Sequence, residues 1–252
     1  MCSVTFWPQR EGYLLGMNRD ERLTRVAALP PIRVVVGGGT VIHPREPTGG
    51  TWITLNDHGV VIALINWYSI PARAPQPAAS RGDVVLALRR CLTVDEAEAR
   101  LRAQSLSHTN PFRLIGIFEA ERRICEWRWN LQARARIDQE WAPRQWLSSG
   151  YNEPLAQRLR GAAFEQEREV GDAGTVAWIR RLHSSHAPER GPFSTCMHRA
   201  DAATVSYSEI EVNRTSIEMR YCAGPLCGGA DWVNETAPRR MSLQRELTGL
   251  QN

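Results

Sequence analysis

The sequence contains no lysine, and all 31 of its basic residues are arginines. These arginines are scattered among 27 acidic residues, which leaves a formal net charge of only +4. Proteins that bind nucleic acids usually gather their positive charge into one stripe or patch. The even distribution therefore argues against a nucleic-acid partner, and a general bias toward arginine explains the composition better.

Long apolar runs are also missing. No stretch approaches the roughly 20 consecutive apolar residues that a membrane-spanning helix needs. The first seven residues, Met1-Cys2-Ser3-Val4-Thr5-Phe6-Trp7, have no basic segment followed by an apolar one, so they do not resemble a secretory signal. Together these absences predict a cytoplasmic protein without a membrane span.

None of the six cysteines belongs to a Cys-x-x-Cys pair, which removes the usual signature of a zinc or thioredoxin-like site. Cytosolic cysteines are normally reduced. Cys91, Cys125 and Cys222 stand in apolar or strand-like runs, where we expect them to act as small core residues. The sequence therefore predicts no metal site and no resident cofactor.

Hydrophobic periodicity predicts strand pairs at both ends of the chain with helices between them. The predicted strands are 3–7, 13–17, 32–36, 51–55, 60–66, 112–118, 122–129, 203–212 and 215–222, and the predicted helices are 82–91, 94–104, 153–169 and 174–183. The polar tail from Asn234 is expected to fray or lie on the surface. This order indicates a layered α+β fold rather than alternating βαβ units, in one domain over residues 1–252.

Met1-Cys2 has a specific consequence. The side chain at position 2 is small, so methionine aminopeptidase should remove Met1 and leave a residue with both a thiol and a free amine. Their reference pKa values are about 8.5 for the thiol and about 7.7–8.0 for the amine. The amine can therefore serve as a base for the thiol, as in amino-terminal nucleophiles. An ordinary terminal residue is the alternative.

The first predicted hairpin brings polar residues to this terminus. If residues 8–12 form the turn, facing residues sum to about 20, so Cys2 lies across from Asn18 or its neighbour. The cluster Asn18-Arg19-Asp20-Glu21 is then close to the thiol. An arginine there favours thiolate, and a carboxylate can orient the amine. A solvated strand end with a surface ion pair fits the same pattern.

A second polar residue ends the apolar strand Val60-Val61-Ile62-Ala63-Leu64-Ile65-Asn66-Trp67. Asn66 has no evident role in a turn, and its amide could donate to a developing oxyanion. A hydrogen-bonded buried asparagine or a strand-end cap is the alternative interpretation.

Met1-Cys2 together with Asn18-Arg19-Asp20-Glu21 resembles the NRDE family, also called the transport and Golgi organisation 2 family. That family is similar to amino-terminal-nucleophile hydrolases of the choloylglycine hydrolase and penicillin V acylase type. The resemblance implies a four-layer αββα sandwich that cuts non-peptide amide bonds with the freed cysteine. It also implies that Asp20 holds the terminal amine and that Asn66 serves the oxyanion hole.

The resemblance covers most of the chain, with two departures from the acylase pattern. Met17 stands where the acylases have an arginine, and Arg19 follows two residues later. Leu147-Ser148-Ser149-Gly150 resembles the acylase segment that supplies a second active-site asparagine; here Ser149 takes that place, and Asn152 comes three residues on.

Residues 194–198, Ser-Thr-Cys-Met-His, resemble an acylase segment that precedes a sandwich strand. His198 could reach the same pocket or be a hydrogen-bonded histidine at a strand start. Arg199 is our candidate for the later catalytic arginine of the acylases.

Two other residue pairs are weaker candidates for a ligand site. His183 and His186 could share a helical face, but no third ligand is evident, and surface histidines are favoured. Cys222 and Cys227 favour a structural turn over a heme or metal ligand pair.

Two functions follow. The main hypothesis is a hydrolase that attacks an acyl amide or thioester through Cys2. The other is a binding or trafficking protein on the same fold, because the family is associated with lipid, acyl-CoA and heme handling.

Overall fold

The structure, a computed structural model, describes residues 2–229 and 231–240. This part of the chain contains thirteen strands and four helices. The strands are β1 (Cys2–Gln9), β2 (Gly12–Arg22), β3 (Leu29–Val36), β4 (Gly39–Arg45), β5 (Ile53–Asn56), β6 (Val60–Asn66), β7 (Phe112–Phe118), β8 (Arg123–Trp129), β9 (Arg134–Gln139), β10 (Arg144–Ser148), β11 (Ala202–Val212), β12 (Ser216–Cys222) and β13 (Trp232–Pro238). The helices are α1 (Arg81–Leu88), α2 (Val94–Arg102), α3 (Glu153–Arg168) and α4 (Val176–Ser184).

The strands form two antiparallel sheets. The first has the order β10-β1-β2-β11-β12-β13, and the second has the order β3-β4-β5-β6-β7-β8-β9. The chain begins in the interior of the first sheet, since β1 lies between β2 and β10. The β1–β2 turn requires glycine at Gly12, where φ is +106° and an added Cβ would lie 1.8 Å from the carbonyl oxygen of Val212.

Three apolar clusters define four layers. The largest lies between the two sheets and includes Val4, Phe6 and Ile115 from facing strands. A second joins α1 and α2 to the outer face of the seven-stranded sheet. A third joins α3 and α4 to the outer face of the six-stranded sheet. This arrangement confirms the αββα sandwich.

The four helices lie where the sequence predicts them, and each begins at a side-chain cap. Ser80, Thr93, Asn152 and Thr175 accept hydrogen bonds from backbone N–H groups in the first turns of α1 to α4. The predicted ends of α1 and α2 run two or three residues too far. No helix among the described residues is long and apolar enough to cross a membrane.

Four strands were not predicted: β4, β9, β10 and β13. The expectation of a fraying tail from Asn234 is wrong up to Pro238, because β13 pairs with β12 and buries Ala237 in the core between the sheets. Residues 241–252 of that tail lie outside the described part of the chain. β13 alternates exposed and half-buried positions as an edge strand does, and this weak apolar signal explains the missed prediction.

Candidate active site at the first strand

Cys2 is the first residue of β1 and faces the interior between the two sheets. Its Cα pairs with that of Arg19 on β2 and with that of Ser148 on β10. Side chains alternate along a strand, so Cys2 points to the same face as Val4 and Phe6. The hairpin prediction is confirmed in its second form: the neighbour of Asn18, not Asn18 itself, lies opposite Cys2.

The four residues predicted to carry the chemistry line one pocket of about 340 Å³: Cys2, Arg19, Asp20 and Asn66. Asn66 reaches it from β6 in the other sheet, so the pocket opens where the two sheets meet. The rest of the lining includes Glu21, Arg25, Glu46, Thr51, Trp52, Arg81 and Asn110. A larger cavity of about 690 Å³ lies beside α3 and β10, but Cys2 does not line it. Chemistry rather than volume therefore distinguishes the smaller pocket.

Arg19 is held by two carboxylates of opposite charge and by an aromatic ring. Its Nη2 lies 2.5 Å from a carboxylate oxygen of Glu46 and 3.5 Å from one of Glu21. The guanidinium also stacks on Trp52, with 4.5 Å between its carbon and the ring centroid. The side chain is only 5% exposed. Much of its positive field is consequently balanced by the two carboxylates.

The Cys2 thiol has a raised pKa. Burial is the main cause, because it disfavours the thiolate, and the Asp20 carboxylate adds to it. Arg19 and a backbone hydrogen bond from Asp20 act in the opposite direction. Arg19 thus favours thiolate as expected, but its effect is smaller than that of burial. A base beside the thiol would be needed to ionise it near neutral pH.

Asp20 lies in a buried polar network on the helix-facing side of β2. One carboxylate oxygen accepts a hydrogen bond of 2.7 Å from the Thr204 hydroxyl, and the other lies 3.4 Å from Nη1 of Arg160. The same guanidinium nitrogen donates to the hydroxyl of Ser3 at 2.9 Å. The side chains of Asp20 and Arg160 are both fully buried. This network fixes the Asp20 side chain on β2, the strand that pairs with the one that carries Cys2.

Arg160 was not predicted, although its guanidinium lies 3.4 Å from the Asp20 carboxylate. It lies on α3 and also donates to the carbonyl oxygens of Pro192 and Phe193. The signal in the sequence is its position on the buried face of that helix, in line with Ala156, Ala163 and Phe164. A charged residue in an apolar helical stripe marks a buried polar network.

Asn18 and Asn66 have different surroundings. Asn18 is buried on the helix-facing side, where its amide donates to the carbonyl oxygens of His183 and Thr195 at 2.9 and 2.8 Å. It does not line the Cys2 pocket. Asn66 is half-buried at the pocket and donates to the Tyr68 hydroxyl at 2.7 Å. Its amide carries a second N–H that can donate elsewhere.

The segment after β10 differs from the expectation. Ser149 is buried, accepts a hydrogen bond of 3.3 Å from the N–H of Tyr151, and does not line the Cys2 pocket. Asn152 caps α3 by accepting from the N–H of Leu155, so its side chain has a structural role. Ser148 is the residue directly opposite Cys2, and its buried hydroxyl has no hydrogen-bond partner among the described residues. The pairing of β1 with β10 identifies Ser148 as the neighbour of Cys2, whereas the motif in the sequence pointed to Ser149.

Arg199 and His198 lie outside this pocket. Arg199 pairs with Asp201 at 2.8 Å, stacks on Tyr151, and lines a separate pocket of about 140 Å³ that Asp20 also lines. His198 instead contacts His186, with 3.2 Å between their Nε2 atoms. The alternative that His198 reaches the Cys2 pocket is therefore wrong.

The expectation of a surface position is wrong for His183. Its ring is fully buried, accepts from or donates to the hydroxyl of Thr5 at 3.0 Å, and packs against Tyr207. Burial lowers the pKa of His183 to about 3, with a further contribution from Arg160. The helix α4 turns its apolar face, and this ring with it, toward the sheet.

The fold is that of the amino-terminal-nucleophile hydrolases. The chain is similar to the C2A mutant of conjugated bile acid hydrolase from Clostridium perfringens, with a TM-score of 0.57 and 8% identity over 96% of this chain and 97% of that one. A second variant of that hydrolase gives a TM-score of 0.54 and 9% identity over 96% and 97%. Penicillin V acylase from Agrobacterium tumefaciens gives 0.52 and 12% over 87% and 82%.

The sequence also matches one protein family within that fold. The Transport and Golgi organisation 2 family matches residues 1–142, and the chain belongs to this family. No curated protein matches the chain significantly. The match covers β1 to β9 and so includes Cys2, Arg19, Asp20 and Asn66.

Proposed function

We propose that the protein is a cysteine hydrolase of the amino-terminal-nucleophile type, acting on an acyl amide or thioester after removal of Met1. The observation that carries the proposal is the shared pocket of Cys2, Arg19, Asp20 and Asn66. Nothing in strand periodicity alone requires a thiol from one sheet and an amide from the other to meet in one pocket that Arg19 and Asp20 also line. A reducing compartment such as the cytosol suits this nucleophile, and none of the six cysteines forms a disulfide.

The chemistry needs the amine that removal of Met1 would create. The neutral amine takes the proton of the thiol, and the thiolate sulfur attacks the carbonyl carbon to form a C–S bond. The carbonyl oxygen becomes an oxyanion, which the second N–H of Asn66 can stabilise. Collapse breaks the C–N or C–S bond, and the ammonium returns its proton to the leaving group. Water then hydrolyses the acyl-enzyme by the same steps.

Asp20 would hold the new ammonium in place, since its carboxylate is fixed by Thr204 and Arg160. The raised pKa of Cys2 makes this base essential, because burial opposes spontaneous ionisation of the thiol. Arg19 contributes by positioning, through Glu46 and Trp52, more than by charge.

Arg81 suggests part of the substrate. It lines the pocket at the start of α1, and it forms no ion pair with any carboxylate among the described residues. A cation without a carboxylate partner at a pocket wall is suited to an anionic group. The proposed substrate is therefore an acyl compound that carries a carboxylate, sulfonate or phosphate.

The test compares the native chain with Cys2→Ala and Cys2→Ser on a panel of anionic acyl amides and thioesters, with Cys91→Ala as a matched control. Cys91 is a buried cysteine of the opposite helical layer. Intact mass must first establish loss of Met1. We expect Cys2→Ala to abolish turnover and Cys91→Ala to retain it. Turnover that survives Cys2→Ala, or a chain that keeps Met1 and still turns over, would refute the mechanism.

The second candidate is a binding or trafficking protein for a lipid-like, acyl-CoA or heme ligand. Two observations favour it: the charge of Arg19 is balanced by Glu46 and Glu21, and Ser149 stands away from the pocket. It predicts saturable ligand binding that Cys2→Ala leaves intact, without release of product. Titration with heme would produce a Soret band in the heme version, and acyl-CoA binding can be followed by calorimetry.

A further inference from the structure

Four side chains of types that bind metals meet in a cluster outside the Cys2 pocket. His186, Cys196, His198 and Cys227 each offer one ligand atom, and all four atoms lie within 4.8 Å of one another. They come from three segments: the loop after α4, the segment that leads into β11, and the 3₁₀ turn Leu226–Gly228. Sequence spacing could not reveal this group, because its two cysteines are 31 residues apart in the chain.

Four of the six separations between these atoms are close to the edges of a tetrahedron around zinc, and the two from His186 to the sulfurs are within 4.8 Å. The two sulfurs are 3.5 Å apart, and Nε2 of His198 lies 3.6 Å from the Cys196 sulfur, 3.4 Å from the Cys227 sulfur and 3.2 Å from Nε2 of His186. Zinc bonds of about 2.3 Å to sulfur and about 2.0–2.1 Å to nitrogen require edges of about 3.8, 3.6 and 3.3 Å for S–S, S–N and N–N pairs. The observed edges are equal to these or slightly shorter.

We propose that these four residues form a structural zinc site. Two thiolates and two imidazoles are the donor set that selects Zn²⁺ in tetrahedral geometry, and two thiolates balance the charge of the ion. Binding would release the two thiol protons. All four positions are taken by protein atoms, so this zinc has no open position for a substrate. The sequence-based expectation of no metal site is replaced by this proposal.

Simple hydrogen bonding is the competing explanation, but it fits less well. Two histidine Nε2 atoms and two sulfurs offer few good donors to one another, and His198 Nε2 lies close to all three other atoms rather than to a single partner. The sulfurs stand too far apart for a disulfide, whose S–S bond is about 2.05 Å. Arg190 Nη2 lies 3.5 Å from Nδ1 of His198, at the long limit of a hydrogen bond, so this contact holds the ring only weakly.

The surroundings suit a metal that organises loops. The N–H groups of Cys196 and His198 donate to the carbonyl oxygens of Ser185 and Gly191, which closes the segment before β11 on itself. Cys196 is buried, whereas Cys227 is exposed, so an ion can reach the site from solvent.

The same segment supports Asp20. The N–H of Met197, between two proposed ligands, donates to the Thr204 hydroxyl, and that hydroxyl donates to the Asp20 carboxylate. The carbonyl oxygen of Thr195 accepts from Asn18. By fixing this segment, zinc would hold the groups of Thr204 and Thr195 that contact Asp20 and Asn18 on β2.

Metal content provides the first test. The chain, purified under reducing conditions without chelator, should contain about one zinc per molecule. Cys227→Ala and His186→Asn should each lower zinc affinity by more than about 100-fold, a larger loss than that of an outer-shell partner. Cys91→Ala and His108→Asn, which change a cysteine and an exposed histidine outside the cluster, should retain the metal.

Cobalt substitution provides a readout that needs no variant. Co²⁺ added to the metal-free native chain should give the intense visible bands of tetrahedral cobalt with thiolate charge transfer, and Zn²⁺ should bleach them. Metal removal should lower the melting temperature, and zinc should restore it. A reduced native chain that takes up neither ion, or a Cys227→Ala chain with unchanged affinity, would overturn the proposal. Neither result depends on hydrolase activity.

Discussion

Replacement of Arg160 by methionine tests whether the buried network around Asp20 stabilises the fold. Methionine has a similar length, so the change removes the guanidinium while it leaves little cavity. The substitution leaves the Asp20 carboxylate buried without the Arg160 guanidinium, and it removes the donor to Ser3 and to two carbonyl oxygens. Breaking a buried ion pair from one side typically costs about 3–5 kcal/mol. Total stabilities are only about 5–15 kcal/mol, so the loss should be large.

The measurement is urea denaturation at pH 7, followed by tryptophan fluorescence. Arg168→Met is the matched control, because this arginine lies on the same helix in an exposed pair with Glu165. We expect the control to change the free energy of unfolding by less than about 0.5 kcal/mol. Arg160→Met should lower the urea midpoint at an unchanged slope, which identifies a loss of stability rather than a change of the denatured state.

The double variant Asp20→Asn/Arg160→Met separates charge from packing. If the cost of Arg160→Met comes from an isolated carboxylate, neutralising Asp20 should recover part of it, with a coupling energy of about 0.5–3 kcal/mol. A single-variant loss below about 1 kcal/mol would refute the reasoning, because the substitution removes the guanidinium from a fully buried ion pair and leaves its other buried acceptors without a donor. Strict additivity of the two changes would equally contradict it.

Three further predictions follow from the same structure. Asn66→Ala should lower kcat on a cleaved acyl substrate by about 10²–10³-fold with a smaller change in KM, because it removes an oxyanion donor; equal loss in both parameters would contradict this role. Asn152→Ala should lower the free energy of unfolding by about 1 kcal/mol, as loss of a helix cap does, and should leave turnover unchanged. His183 has a pKa of about 3 in the fold and about 6.5 when unfolded, so the free energy of unfolding is highest above pH 6.5 and falls as the pH drops toward 3. The full effect is at most about 5 kcal/mol. In an acid titration, the free energy of unfolding of His183→Gln should fall less steeply than that of the native chain.

The sequence was sufficient for the layers and for much of the pocket, for identifiable reasons. Apolar periodicity locates helices whose buried faces repeat every three or four residues, and a short hairpin turn fixes which residues oppose Cys2. Asn66 stands out as a polar residue that ends an apolar strand, but its assignment to the site came from the resemblance to the acylases. Edge strands such as β9 and β13 carry no such contrast, since their side chains are exposed or half-buried along most of their length.

Contacts between distant segments were beyond prediction from one sequence. Arg160 reaches Asp20 from 140 residues away, and its role depends on how α3 lies across the sheet. The cluster of Cys196 and Cys227 depends on the placement of two loops. Asn152 was assigned to the site by its distance from a motif, whereas its position before α3 gives it a cap. Local patterns determine elements, while such sites depend on how the elements pack.

The alternation of side chains along β2 explains why consecutive residues can serve one reaction. Arg19 faces the interior between the sheets with the Cys2 thiol, and Asp20 faces the helices with Thr204 and Arg160. A terminal amine belongs to the backbone, so it lies between these faces and can contact Asp20 while the thiol contacts the pocket. A register shift in β11 between Thr204 and Ser206, opposite Asp20 and Arg19, adds a bulge at this point, where strands are often re-aimed beside active sites. The proposed mechanism thus requires Asp20 on one face and Asn66 on the other, which is the arrangement that an amine and a thiol on a single residue need.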